Sequence, residues 1–282
     1  MTVKFVGVAG SGQMGSGIAE VAVRSGFEVL VRGRTQKTAD AAVARVAKSL
    51  GRDVEKGKLD AGERDAMLER VRAVTDLGEL ELCDVVVESI VEDLDVKREF
   101  MAELDRACSP TTVIATNTST LPVVELAVAT ERPERVVGLH FFNPAPKMPL
   151  VEVVRALTTS DETVETARQF AADCGKEPVI VKDKAGFVVN ALLFPYLNSA
   201  VQMLDAGTAS RDDIDAAMRG GCGFPMGPLE LLDFVGLDTS LAILNAMSEE
   251  QASGCAAPAP LLKRMVAAGQ LGRKAGQGFY SY

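Results

Sequence analysis

The chain has 282 residues, 47% of them hydrophobic and 24% charged, with a formal net charge of −9 at pH 7. That balance supports a substantial core in one large domain or two ordinary ones, and it excludes an intrinsically disordered chain. The acidic excess argues against phosphate-backbone binding, so nucleic acid is not an expected partner.

The first predicted element is a short apolar run at 4–9, followed by glycines and then by small and apolar residues at helical spacing over 14–24. Residues 27–31 read as a second buried strand and complete a βαβ unit of about 30 residues. From about 36 to 72 the chain is charged and helical, with breaks at Gly51 and Lys56-Gly57-Lys58, which predicts a helical hairpin standing off the sheet. Strand signals resume at 84–88, 112–115 and 136–140, with a helix over about 96–105, and further strands are expected at 151–154 and 178–181. Alternating strands and helices predict an α/β fold with a mostly parallel sheet covered on both faces.

After Lys184-Ala-Gly186 the strand runs stop, and apolar helices are expected over 187–204, 211–219, 229–247 and 261–268. A boundary near 184 therefore divides the chain into a Rossmann-type α/β domain, 1–183, with its helical-hairpin insertion, and an all-α C-terminal domain, 184–282. The helix over 187–204 contains Pro195 and is apolar nearly all round, so it is expected to bury against another domain or subunit. Residues 256–260 read as a short Ala/Pro loop.

Five cysteines, Cys83, Cys108, Cys174, Cys222 and Cys255, are scattered and form no C-x-x-C pair. They suggest neither a disulfide framework nor a zinc site, and no metal is expected. The N-terminus lacks a basic n-region and long h-region, and no uninterrupted apolar stretch reaches bilayer-spanning length. The expectation is a cytoplasmic protein in a reducing environment, without a membrane partner.

Gly10-Ser11-Gly12-Gln13-Met14-Gly15 lies between the first strand and the first helix, the context in which G-x-G-x-x-G predicts dinucleotide binding. Gly10 permits the tight turn, Gly12 lets a pyrophosphate approach the backbone, and Gly15 allows close helix–strand packing, while the helix N-terminus stabilises the phosphate charge. An NAD site of this type has Asp or Glu at the end of the second strand. Here the sequence is Arg32-Gly33-Arg34-Thr35, and two guanidinium groups with a hydroxyl suit a 2′-phosphate. NADP(H) is the expected cofactor; NAD(H) is the alternative if both arginines are merely solvated.

His140 is the only histidine, so any histidine chemistry must occur there. It ends an apolar run, Arg135-Val-Val-Gly-Leu-His-Phe-Phe142, just before Asn143-Pro144. A lone histidine on such a run is commonly a hydrogen-bonded core residue. The glycine loop upstream and Glu152 twelve residues downstream favour instead an acid/base role beside a nicotinamide.

The glycine loop, Val87-Glu88-Ser-Ile-Val-Glu92 leading to Lys97, Ala115-Thr-Asn117-Thr-Ser119, and Gly138-Leu-His-Phe-Phe-Asn143-Pro-Ala-Pro-Lys-Met148-Pro-Leu-Val-Glu152 follow one another in order. Together they closely resemble the 3-hydroxyacyl-CoA dehydrogenase family, in particular its short bacterial 3-hydroxybutyryl-CoA dehydrogenase branch. The likeness continues through Gly186-Phe-Val-Val-Asn190, Pro225-Met-Gly-Pro228, Val235-Gly-Leu-Asp-Thr239 and Gly276-Gln-Gly-Phe-Tyr280.

The resemblance implies that His140 exchanges the proton of a substrate 3-hydroxyl while Glu152 holds and polarises the imidazole. Ser119 matches a serine contacting the substrate oxygen, against the plain reading of a turn or cap hydroxyl. Asn190 matches a residue contacting the acyl group or that serine, and within Phe187-Val-Val-Asn-Ala-Leu-Leu193 its amide needs a partner. Glu92 and Lys97 match residues near the nicotinamide ribose, although charges beside a helix start also read as surface residues. Asn117 and Asn143 belong to the same cofactor set. Lys56 falls where the family places a lysine near the CoA phosphates, with Lys58 as the alternative and a solvated charge run as the plain reading.

Two departures stand out: Gly33 replaces the usual acidic residue, and Lys147 stands two residues before Pro149, where relatives often carry lysine. The implied reaction interconverts short-chain 3-oxoacyl-CoA (acetoacetyl-CoA) and (S)-3-hydroxyacyl-CoA (3-hydroxybutyryl-CoA), and residues 184–282 become a substrate-closing and homodimerisation domain. Two alternatives stay open. One is a dehydrogenase for an acyl-carrier-protein thioester in polyketide extender-unit biosynthesis; the other is a crystallin-like cofactor-binding structural protein.

Overall fold

The computed structural model describes residues 3–250 and 257–282, so Cys255, and Ala256 of the expected Ala/Pro loop, lie outside the described residues. The chain divides into two compact units, Met1–Asp183 and Lys184–Tyr282.

The first unit runs β1 (Phe5–Ala9), α1 (Gln13–Arg24), β2 (Glu28–Arg32), α2 (Gln36–Glu55), α3 (Ala61–Glu69), β3 (Val71–Val74), β4 (Val85–Glu88), α4 (Leu94–Ala107), β5 (Val113–Thr116), α5 (Val123–Ala127), β6 (Val136–Phe141), β7 (Leu150–Arg155), α6 (Asp161–Asp173) and β8 (Glu177–Lys182). The strands form one sheet in the order β3-β2-β1-β4-β5-β6-β7-β8. Every neighbouring pair is parallel except β6 and β7. Strands β4 and β5 are buried at every position, as expected of central parallel strands covered on both faces. The chain leaves β1 in one direction through β2 and re-enters beside β1 as β4, which creates the crevice at the strands' carboxyl ends where such folds bind ligands.

Period-2 alternation decides what faces that crevice and what fills the core. Leu139, Phe141, Val151 and Val153 join α1 and α6 residues such as Ile18 and Phe170 in the main apolar cluster. His140 and Glu152, between them, stand on the other face of the sheet.

The mostly parallel sheet and the helical hairpin are as expected, with three differences. Residues 71–74, read as the end of a helical stretch, form the edge strand β3, which pairs with β2. Helices α5 and α6 were not anticipated, because α5 is only five residues long and threonine and acidic residues dilute the apolar pattern of α6. Gly51 does not interrupt α2; a Cβ there would meet nothing within 4 Å, and the break falls only at Lys56–Lys58.

The second unit contains α7 (Val189–Asp205), α8 (Arg211–Cys222), α9 (Pro228–Val235), α10 (Leu237–Glu250) and α11 (Pro260–Ala267). The single helix expected over 229–247 is two helices, bent by 98° at Gly236, whose φ of +103° suits glycine. Helix α7 runs through Pro195 and buries Phe194, Leu197 and Val201 against Leu229, Leu232 and Leu244.

Two buried aspartates tie this unit together. Asp215 of α8 accepts from Leu229 N–H at 2.9 Å and Glu230 N–H at 3.0 Å, capping α9 from outside, and from the Tyr280 hydroxyl at 2.8 Å. Asp233 accepts from the Phe279 and Tyr280 N–H groups at 2.9 and 2.8 Å. A Cβ at Gly227 would stand 2.2 Å from Asp215 Cγ, and one at Gly278 2.0 Å from Asp233 Oδ1. The glycines of the Pro-Met-Gly-Pro and Gly-Gln-Gly-Phe-Tyr segments are therefore clearances for these carboxylates. Burial and the Asp215 carboxylate push the Tyr280 pKa up, keeping its hydroxyl a donor.

Among the described residues no single helix is long and apolar enough to cross a membrane, and no cluster of three His, Cys, Asp or Glu side chains could hold a metal ion.

Candidate active site

The glycine loop follows directly from β1. Gly10 has φ +153°, and a Cβ there would stand 2.2 Å from Ser89 O; a Cβ at Gly15 would stand 2.0 Å from Gly10 O. Those two glycines are demanded by the protein itself. Gly12 is different, because a Cβ there would meet no protein atom within 4 Å. It caps α1 with no side-chain cap bond, and the first turn of α1 holds no acidic residue. Space beside the backbone, uncapped N–H groups and the positive end of a 12-residue helix fit the pyrophosphate of a dinucleotide.

Around the loop, Gln13 Nε2 donates to Asn143 Oδ1 at 3.2 Å, while Met14 packs against the core. Arg45, from α2, reaches the Ser11 carbonyl and donates to Ser16 Oγ at 3.0 Å. Sequence reasoning missed Arg45, one charge among many on an amphipathic helix.

At the end of β2 the expected cations separate. Arg32 donates to Thr75 O at 3.4 Å and lays its guanidinium 5.4 Å from the Phe100 ring centroid. Thr35 is the N-cap of α2, accepting from Thr38 N–H at 3.3 Å. Arg34 is exposed at this turn, and Lys37, unremarked in the sequence, is exposed on the first turn of α2. A Cβ at Gly33 would stand 2.5 Å from Ala39 N, so this backbone has no room for an acidic side chain there.

Lys97 is not a surface charge. Its side chain is 1% exposed, with Nζ 2.6 Å from Glu88 Oε1 and 3.2 Å from Glu92 Oε2. Glu88 also accepts from Ile90 N–H and Thr116 Oγ1, each at 2.6 Å. Half-exposed Glu92 accepts from Thr118 Oγ1 at 2.5 Å and Ser119 N–H at 2.8 Å. The three charges thus run from the end of β4 to the backbone of Ser119. Glu88 was missed as part of this set, although a carboxylate ending Val85-Val-Val-Glu88 must find partners once buried.

Asn117 accepts from Phe141 N–H at 2.9 Å, tying the end of β5 to the residue after His140. On β6, Gly138 lies opposite Val154, and a Cβ there would stand 2.6 Å from Val154 Cβ. Two residues on, the same antiparallel register sets His140 opposite Glu152. His140 Nδ1 lies 2.8 Å from Glu152 Oε2, and their side chains are 5% and 1% exposed. Glu152, read in isolation as a strand-end carboxylate, sits inside β7. The Phe142 ring packs 4.5 Å from the imidazole.

Asn190 is buried in the first turn of α7, in the second unit; Lys56 and Lys58 are exposed at the end of α2, and Lys147 is exposed between β6 and β7. Burial pushes the thiols of Cys83, Cys108 and Cys174 up to about 12, 11 and 12, so none is a nucleophile at neutral pH.

A family model described as 3-hydroxyacyl-CoA dehydrogenase, NAD binding domain, matches residues 5–184, and one described as 3-hydroxyacyl-CoA dehydrogenase, C-terminal domain, matches residues 186–282. A 3-hydroxybutyryl-CoA dehydrogenase of Mycobacterium tuberculosis is 49% identical over 282 residues, spanning 99% of each chain. The human mitochondrial hydroxyacyl-coenzyme A dehydrogenase is 43% identical over 288 residues, spanning 99% of this chain and 91% of its own. The crystal structure of the (S)-3-hydroxybutyryl-CoA dehydrogenase PaaH1 from Ralstonia eutropha matches with a TM-score of 0.97 at 40% identity, covering 100% of this chain and 99% of that one.

Proposed function

The chain belongs to the 3-hydroxyacyl-CoA dehydrogenase family, and we propose that it interconverts acetoacetyl-CoA and (S)-3-hydroxybutyryl-CoA with NADP(H) as its preferred cofactor. The observation that carries the reaction is the buried His140–Glu152 pair at the carboxyl end of the sheet, on the same edge as the glycine loop. Glu152 holds Nδ1 and fixes the tautomer, so proton exchange with the 3-hydroxyl falls to Nε2. The carboxylate also stabilises the imidazolium formed when the alcohol gives up its proton. Hydride exchange at C3 is the chemistry that a bound nicotinamide supplies.

Ser119 and Asn190 are the proposed polar contacts of the acyl group, and Lys56 the contact of the CoA phosphates. The glycine loop with Asn117, Asn143, Glu92 and Lys97 is the proposed cofactor set. The unit Met1–Asp183 then serves as the cofactor domain, and Lys184–Tyr282 as the substrate-closing and dimerisation domain.

The NADP(H) preference rests on Arg34 and on the clearance that excludes an acidic residue at Gly33. Arg32, engaged with Thr75 and Phe100, contributes charge rather than a direct bond. Initial rates on acetoacetyl-CoA test both parts of the proposal. The expected result is turnover with a lower KM for NADPH than for NADH. In Arg34→Ala, loss of a charge-assisted bond should raise the KM for NADPH about tenfold and leave NADH almost unaffected. Equal or better turnover with NADH at matched low concentration would reject the preference.

A homodimer is also proposed, on the exposed apolar side chains of the second unit, Leu192 and Met203 of α7 with Phe224 and Phe234. The expected solution mass is twice the 29.9 kDa of one chain. A monomeric mass at micromolar concentration would contradict it.

A further inference from the structure

Residues 142–149 join the strand carrying His140 to the strand carrying Glu152, and a lysine from elsewhere in the unit clamps this loop. Lys176 Nζ donates to Ala145 O at 2.7 Å and to Met148 O at 2.9 Å. The lysine follows Gly175, whose φ of +67° ends α6, and the next peptide grips the same loop through Glu177 N–H to Pro149 O at 2.7 Å. Within the loop, the N–H groups of Lys147 and Met148 converge on Pro144 O at 2.9 and 3.1 Å. The two carbonyls held by Lys176 therefore belong to one compact turn.

The far side of the turn is set against the cofactor helix. A Cβ at Gly17 of α1 would stand 3.2 Å from Ala145 Cβ, and Ala145 is buried. Asn143, at the start of the loop, accepts from Gln13 of the glycine loop. Burial holds the Lys176 pKa below the usual lysine value. A lysine that only needed solvent would not be immobilised on two neutral carbonyls, since ordering its long side chain has an entropic cost.

We propose that Lys176 is a positioning residue: by clamping the 142–149 loop it aligns His140 and Asn143 with the cofactor-binding edge of the sheet. The inference rests on the dehydrogenase reading above. Misplacement by about 1 Å at a reacting centre is worth on the order of 100-fold in rate, so a clamp on this loop has a measurable effect on chemistry.

The test compares Lys176→Met, which removes all three donors, with Lys176→Gln, which keeps an amide donor. In Lys176→Met, kcat on acetoacetyl-CoA should fall about 10- to 100-fold with little change in KM. The primary isotope effect from 4-deuterated reduced cofactor should rise as hydride transfer becomes slower, and amide exchange at Lys147 and Met148 should accelerate. Lys176→Gln should lie between this variant and the parent. A folded Lys176→Met with kcat within about twofold of the parent overturns the proposal. An unchanged isotope effect despite faster loop exchange also overturns it, and failure of both variants to fold would make Lys176 a stability residue instead. Absence of turnover in the parent would sink the dehydrogenase reading; amide exchange in Lys176→Met tests the clamp independently.

Discussion

Replacing His140 by glutamine is expected to lower kcat for acetoacetyl-CoA reduction by about 1,000-fold, within the range that general acid–base catalysis contributes, with little change in KM. The chain holds no second histidine to substitute for it. Glutamine brings an amide donor in place of the ring N–H, so the buried Glu152 carboxylate keeps a hydrogen-bond partner and the fold should survive. Glu152→Gln keeps an acceptor near Nδ1 but removes the charge, and a loss of about 100-fold is expected. In the proposed mechanism Glu152 acts through the imidazole, so the double variant should be no slower than His140→Gln alone. Initial rates for the three variants, with far-UV circular dichroism as the check on folding, decide the matter. Retention of more than about one-tenth of parental kcat in His140→Gln, or losses that multiply in the double variant, would remove the dyad from the mechanism.

The dyad also marks how far sequence could carry the reading. His140 and Glu152 were both legible as residues, one by its rarity and the other by family likeness. Their contact was legible only as what the resemblance implies; the strand register that produces it was not, because it depends on the one antiparallel step in an otherwise parallel sheet. Nothing in the apolar runs 136–140 and 151–154 distinguishes that step from another crossover. The parallel strands were legible for the opposite reason: continuous runs such as Val85-Val-Val have few alternatives in a chain of this composition. Strand β3 escaped because four residues with Arg72 exposed carry too little pattern, and its identity as a strand comes only from pairing with β2.

Lys97, Arg45 and Lys176 share a different kind of opacity. Each is a cation on or beside a helix, and local sequence assigns such residues to solvent. What recruits them are acceptors 9 to 34 positions distant: the Glu88 carboxylate, the Ser11 carbonyl and the loop carbonyls of Ala145 and Met148. The glycine loop lies at the other extreme, since its constraints are local and chemical. Two of its glycines are forced by backbone approach within the protein, leaving Gly12 as the position whose smallness no protein atom demands and which has room for a ligand.

The buried charge set at the end of β4 carries the largest expected effect on stability. Lys97→Met would leave Glu88, at 0% side-chain exposure, with the Ile90 N–H and the Thr116 hydroxyl but no counter-charge. Breaking a buried ion pair from one side typically costs about 3–5 kcal/mol, because the remaining charge cannot return to water. For a unit of this size that corresponds to a fall in Tm of roughly 6–20 °C. Glu92, which is 40% exposed, can be rehydrated when it loses the lysine and should contribute little to the loss. The second substitution distinguishes an uncompensated charge from lost packing. Lys97→Met combined with Glu88→Gln removes both charges, and an amide can still accept from the Ile90 N–H and bond the Thr116 hydroxyl. The double variant should therefore recover at least about half of the stability lost by Lys97→Met, a coupling that chemical denaturation of the four proteins in the cycle measures directly. A loss below about 1 kcal/mol in Lys97→Met, or additive losses in the double variant, would mean that Lys97 contributes by packing and that the Glu88 carboxylate is stabilised by its two hydrogen bonds alone.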